Sequence, residues 1–167
     1  KLDKNVETFL NKIGFTLIQG YGLTETSPVV ALNPVKNPKI GSVGTTIPDV
    51  NIKIIDPDIN GIGEIAICGP NIMKGYYKNE EETQSTLKNN WFYSGDLGYL
   101  DKQGYLFLTS RKKELIILGT GKNISPEEVE IHYLKSHYIK ELCVLSNGED
   151  IHEKLSAVIV PDFEHFK

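Results

Sequence analysis

The sequence has no long apolar run, no excess of basic charge and too few cysteines to be stapled by them. Nowhere in its 167 residues do apolar side chains approach the roughly 20 in succession that a membrane-crossing helix requires. The opening KLDKNVETF lacks the apolar centre of a secretory signal. Lysine and arginine number 18 against 22 acidic residues, a net charge of −4, so no nucleic-acid partner held by a broad basic face is expected. Cys68 and Cys143 stand far apart, match no metal-ligand spacing and lie in apolar runs, which predicts reduced core thiols and a cytoplasmic location. There is no internal repeat and no low-complexity tract. No methionine precedes Lys1, as in a processed product or an excised piece. What remains is a globular chain, 40% hydrophobic, long enough for one domain or for one domain and part of another.

Its elements are well punctuated. Asp3 is a good N-cap, Val6, Phe9, Leu10 and Ile13 recur at helical spacing, and Gly14 can close a short amphipathic helix. FTLIQ, 15–19, then reads as a buried strand. It runs into IQGYGLTETSP, 18–28, a loop placed at the carboxyl end of a strand, where open sheets bind ligands. From Gly41 onward short branched or aromatic runs (VNIKIID, GEIAICG, LGYL, YLFLTS, ELIIL) alternate with Gly, Asp, Asn and Pro, the texture of a β-rich region. DKQG predicts a hairpin between LGYL and YLFLTS, and Asn79 caps a helix in NEEETQSTL. After the GTGKN loop, Ser125, Pro126 and Glu128 predict a capping box that starts the helix PEEVEIHYLK, followed by the strands ELCVLS and KLSAVIVP. This last unit reads as part of a small α+β domain.

Three polar constellations carry chemistry. In the 18–28 loop, threonine hydroxyls and glycine-freed N–H groups can hold phosphate oxygens, Glu25 can bind the Mg²⁺ that accompanies them, and Tyr21 can offer a flat face to a base; a plain surface turn is the alternative. In WFYSGDLG, Asp96 follows a glycine and can accept both hydroxyls of a vicinal diol such as ribose, or can be an ordinary turn aspartate. In SRKKELIILGTGKN, Arg111, Lys112 and Lys113 put three positive charges where one β unit gives way to another, either a site or a solvated run of charge, and the glycine pair after them admits close approach of a ligand.

The order YGLTETSP, GEIAICGPNIMKGYY, WFYSGDLG, SRKKELI and GKNISPEEVE resembles the adenylate-forming superfamily, and within it the acyl-CoA synthetases. The resemblance implies an α+β fold, with the β-rich end of a large adenylation domain at 1–110, a hinge at 111–113 and the start of a small C-terminal domain at 114–167. It implies ATP, Mg²⁺ and coenzyme A as cofactors and co-substrates. Gln19, Gly20, Tyr21 and Gly22 would edge the adenine pocket, with Tyr21 against the base. Thr24 would contact the α-phosphate region and Glu25 would coordinate Mg²⁺. Asp96 and Arg111 would hold the ribose, Lys113 would be the hinge, and Gly119, Thr120 and Gly121 would border the pantetheine tunnel.

The family's Ser/Thr/Gly-rich phosphate loop and its late catalytic lysine have no match here, so the chain reads as an internal piece that is inactive by itself. The hinge lysine and NISPEEVE resemble long-chain fatty acyl-CoA synthetases, which implies a fatty acid substrate and peripheral membrane association of the intact enzyme. Transfer to an acyl carrier protein, or a noncatalytic module that binds nucleotide or a partner, are the alternatives.

Overall fold

The computed structural model describes residues 2–118, 123–146 and 155–166. The chain divides into two compact units, Lys1–Thr109 and Ser110–Lys167.

The first unit opens with helix α1, Lys4–Lys12, whose N-cap Asp3 accepts from the amides of Asn5 and Val6. Gly14 follows with φ of +93°, a left-handed conformation suited to glycine. The helix is where the periodicity puts it, but its inward side is not the apolar one. Glu7 is 1% exposed and accepts a hydrogen bond from the Gly41 amide at 2.8 Å, while Phe9 is 60% exposed. The strand expected at FTLIQ also fails to form: Phe15 and Ile18 are exposed, and cross-chain pairing begins only at Gln19, whose carbonyl accepts from Asn33 N at 2.8 Å. A strand is a pairing and not a propensity, and among the described residues none pairs with 15–18.

Three short strands, β1 (Gly20–Tyr21), β2 (Ala31–Leu32) and β3 (Thr45–Thr46), make one antiparallel sheet in that order. A second, also antiparallel, contains β4 (Asn51–Ile55), β5 (Gly63–Cys68), β6 (Leu87–Lys88), β7 (Trp91–Leu100) and β8 (Leu106–Arg111). Its order is β4-β5-β7-β6, with β8 on β7. Helix α2, Glu80–Thr86, precedes β6 and is capped by the Asn79 side chain on Glu82 N, as its sequence requires. The Asp101–Gly104 turn closes the expected β7–β8 hairpin. Leu106 then exchanges backbone bonds with Val43 and Gly44, at 2.9 and 2.8 Å, and ties the hairpin to the approach to β3. The core lies here: Val30, Ala31, Ile65, Ile67 and Leu106 are fully buried, with Tyr21, Val43, Val50 and Phe92 packed among them. Burying each large aliphatic of that set stabilises the fold by about 1.5–3 kcal/mol.

In the second unit the ELIIL strand shrinks to β9 (Ile116–Ile117), because Lys112–Glu114 turn as a short 3-10 helix; β9 pairs with β10 (Asn123–Ile124). Helix α3, Pro126–Tyr133, starts at the expected proline, yet Ser125 makes no cap bond and its hydroxyl is buried without a partner. The capping box is therefore not formed, and the helix ends before the Leu134–Lys135 pair expected to continue it. Strands β11 (Ile139–Ser146) and β12 (Leu155–Pro161) pair antiparallel, and Glu130 of α3 accepts from Val144 N at 2.7 Å. Alternation along β11 turns Val144 inward and leaves Cys143 exposed, so Cys143 is not the core thiol expected; Cys68 is half-buried. Among the described residues no helix is long and apolar enough to cross a membrane.

Candidate functional site

The 20–26 loop begins as strand. Tyr21 pairs with Ala31 in β1–β2, and its ring is 8% exposed in the core. Its hydroxyl donates to Asp96 Oδ2 at 2.7 Å, across 75 positions of sequence. Gly22 then passes against the returning chain so closely that a Cβ there would lie 1.5 Å from the Pro28 carbonyl oxygen. No other residue fits that crossing. Residues Thr24–Thr26 follow as a 3-10 turn held by Thr26, whose fully buried hydroxyl accepts from Leu23 N at 2.8 Å and donates to Leu23 O at 2.9 Å. With Thr26 turned inward, Thr24 is exposed and Glu25 half-exposed. Gln19, just ahead of the loop, has a side-chain nitrogen that is buried without a partner.

A second segment, 69–76, straps the loop from outside. Asn71 Nδ2 donates to the carbonyls of Thr26 and Val29, each at 2.9 Å, and the Met73 amide donates to Glu25 O at 2.8 Å. The Tyr76 hydroxyl donates to Glu25 Oε1 at 2.9 Å. Burial, and then the hydrogen bond to Glu25 and its negative charge, push the Tyr76 phenol up to about 12.

Asp96 is placed by a break in the β5–β7 ladder. Ala66 faces Tyr93 and Glu64 faces Leu97, so Ser94, Gly95 and Asp96 together stand opposite Ile65 alone. Such a bulge re-aims a side chain. Gly95 takes φ of +72°, its amide donates to Glu64 Oε1 at 3.2 Å, and the Ser94 hydroxyl donates to the Ile65 carbonyl at 2.8 Å. The Ser94 oxygen also accepts from Asp96 N at 3.1 Å, and Asp96 itself is 7% exposed. In Ser-Gly-Asp, then, serine satisfies the interrupted ladder, glycine makes the bend and aspartate is what the bend presents.

The structure thus joins Tyr21 to Asp96 and sets Thr24 beside Glu25 on one turn. Arg111, at the end of β8, and Lys113, in the 3-10 turn after it, are exposed residues of the second unit. Gly119, Thr120 and Gly121 lie outside the described residues. The sequence alone does not single out Tyr76, Asn71 or Ser94. GPNIMKGYY was visible as a motif, but a hydroxyl that meets a carboxylate 51 positions away leaves no local signal.

Among the described residues no cluster of three or more His, Cys, Asp or Glu could enclose a metal ion. Mg²⁺ needs no such cluster, being held through one or two carboxylates with phosphate and water as its remaining ligands. Glu25, half-exposed and with one oxygen engaged by a neutral donor, fits such a role.

The family model described as AMP-binding enzyme matches residues 1–77. A chloroplastic long-chain fatty acid–[acyl-carrier-protein] ligase of Arabidopsis thaliana is 36% identical over 177 residues, covering 96% of this chain and 24% of that protein. A long-chain fatty acid–CoA ligase of Mycobacterium bovis is 35% identical over 159 residues, covering 95% of this chain and 25% of that protein. The chain therefore spans about a quarter of these curated relatives. Among solved structures, O-succinylbenzoate coenzyme A synthetase from Bacillus subtilis, in complex with ATP and magnesium ion, superposes with a TM-score of 0.82 at 33% identity, covering 96% of this chain and 34% of that one.

Proposed function

The chain belongs to the AMP-binding, adenylate-forming superfamily, and from that premise we propose that it is part of an ATP-dependent acid–thiol ligase that activates a fatty acid and transfers it to coenzyme A. The observation that carries the reading is the 2.7 Å bond between Tyr21 and Asp96, which brings the phosphate-type loop and the diol-type aspartate into one site.

In the first half-reaction a carboxylate oxygen attacks the α-phosphorus of ATP, and pyrophosphate leaves. Bound Mg²⁺ would neutralise charge on the phosphate oxygens. Glu25 would hold that Mg²⁺ in place. The exposed Thr24 hydroxyl donates to an α-phosphate oxygen. Asp96 accepts from the ribose hydroxyls and orients the ribose so that the α-phosphorus is presented in line. Gln19, Gly20, Tyr21 and Gly22 edge the adenine, and the unsatisfied Gln19 amide is a donor suited to a ring nitrogen. In the second half-reaction a thiol sulfur attacks the acyl carbon and AMP leaves. Rotation about Lys113 between the steps would bring Gly119, Thr120 and Gly121 to the thiol arm.

A fatty acid is supported by the names of the two ligases above, while the succinylbenzoate enzyme keeps aromatic acids in the test. Transfer to an acyl carrier protein is the second reading, favoured by the Arabidopsis relative. The test is exchange of labelled pyrophosphate into ATP by the full-length protein, over a panel of fatty and aromatic carboxylates, with thioester formation then scored on coenzyme A and on a phosphopantetheinylated carrier. Exchange dependent on long-chain acids and transfer to coenzyme A are expected. Carboxylate-independent nucleotide binding without exchange would overturn the reading in favour of a noncatalytic module. The 167-residue chain alone is expected to show no exchange.

A further inference from the structure

We propose that Tyr76 is a positioning residue that aims the Glu25 carboxylate at a divalent cation; this rests on the reading of Glu25 as the metal-holding group. Glutamate on a one-turn helix has three side-chain torsions and no intrinsic direction. Tyrosine has two, and this one is itself held. Its amide donates to Thr83 Oγ1 at 2.9 Å, and that hydroxyl donates to the Asn79 carbonyl at 2.8 Å, at the start of α2. Gly75, with φ of +149°, lies so close to Thr83 that a Cβ would stand 2.8 Å from its methyl group. Helix α2 therefore fixes Tyr76, and Tyr76 fixes Glu25.

The backbone of the turn does not need this bond. The Met73 amide and Asn71 Nδ2 already hold the carbonyls of Glu25, Thr26 and Val29. The phenol acts on the carboxylate alone, engaging Oε1 at 2.9 Å and directing Oε2 to whatever Glu25 serves. Its chemistry suits that task. Lysine or arginine in the same place would also hold the oxygen, but would cancel the charge that attracts a cation; a neutral hydroxyl holds it and leaves the charge. The strap 69–76 is thereby an outer support of the kind that orients metal-binding carboxylates.

The test uses the full-length protein and Mn²⁺ as the probe, titrated by electron paramagnetic resonance in the presence of ATP, with metal-free AMP affinity measured alongside. Tyr76→Phe should weaken Mn²⁺ binding by about tenfold, the lower end of outer-support effects, and leave AMP affinity unchanged. In a Glu25→Gln background the same substitution should add no further loss, because its whole effect passes through that carboxylate. If Glu25→Gln weakens Mn²⁺ and Tyr76→Phe does not, the proposal fails while the metal reading stands. If neither weakens Mn²⁺, the metal reading fails too. An equal loss with Glu25 intact or replaced, or a parallel loss of AMP affinity, would show that Tyr76 supports the fold and not the aim, and would also overturn the proposal.

Discussion

Asp96 is held by a bulge in the sheet together with the Tyr21 hydroxyl, Glu25 by a surface turn together with the Tyr76 hydroxyl. The first sits in a bulge of a continuous sheet, with Gly95 bent at φ of +72° and the Ser94 hydroxyl closing the gap on Ile65. The second rides a single 3-10 turn at the surface, and its carboxylate is steadied by one phenol from a separate strap. The difference suits the roles proposed for the two groups. A diol presented at fixed distance requires a rigid acceptor, and rigidity is cheapest in a sheet. A carboxylate that must accommodate a hydrated cation and the phosphates with it gains from a support that is specific yet local. Damage to the first region should therefore appear as lost stability and lost nucleotide affinity together. Loss of the Tyr76 hydroxyl should appear in metal binding alone.

The largest effect is expected where the two regions share a part. Gly22 carries the chain from Tyr21, which holds Asp96, to the turn that presents Glu25, and Gly22→Ala drives a methyl group into the Pro28 carbonyl. A loss of about 3 kcal/mol in urea denaturation is expected, with both carboxylates disabled. A variant of unaltered stability would mean that the crossing is looser than its geometry.

Gly95→Ala sharpens the contrast. Nothing lies within 4 Å of the added Cβ, so the penalty is conformational only, about 1–2 kcal/mol for a left-handed alanine. AMP affinity should fall with it, while the ratio of metal-dependent to metal-free affinity stays constant. Ser94→Ala, which leaves the Ile65 carbonyl without its hydroxyl partner, should cost about 1 kcal/mol and act in the same direction. A changed metal ratio in either variant would blur the two supports into one.

The division also explains what could be read in advance. Helix caps at Asp3 and Asn79, the Asp101–Gly104 hairpin and the proline start of α3 are local, and all were legible. Asp96 and Glu25 were legible as chemistry in short motifs. Their supports were not, because a bulge is a mismatch between two strands and the Tyr76 bond spans 51 positions. The strand expected at FTLIQ failed for the same reason in reverse, an apolar run having no partner among the described residues. The missing capping box at Ser125 shows that residue types suited to a cap do not guarantee the bond.

A third carboxylate serves as a control outside the site and should give the smallest effect. Asp101 in the hairpin is lowered from its ordinary value chiefly by the hydrogen bond from Lys39, with the amides of Tyr105 and Gln103 contributing. A carboxyl depressed in the folded state contributes stability that is present above its unfolded value and is lost as pH falls through the folded one. Denaturation midpoints measured below about pH 4, where free aspartate protonates, should therefore fall less steeply for Asp101→Asn than for the parent. Nucleotide affinity should not change. An identical acid limb in both proteins would remove the Lys39 pair from the account.

The most direct test of the central claim compares AMP without metal and ATP with Mg²⁺ as ligands of the full-length protein, by calorimetry, in three forms: parent, Asp96→Ala and Glu25→Gln. The account predicts that Asp96→Ala weakens both ligands, by on the order of 1.5–3 kcal/mol for each charge-assisted bond lost, and that Glu25→Gln weakens only the magnesium complex. Undiminished AMP affinity in Asp96→Ala, or equal losses for both ligands in Glu25→Gln, would contradict it.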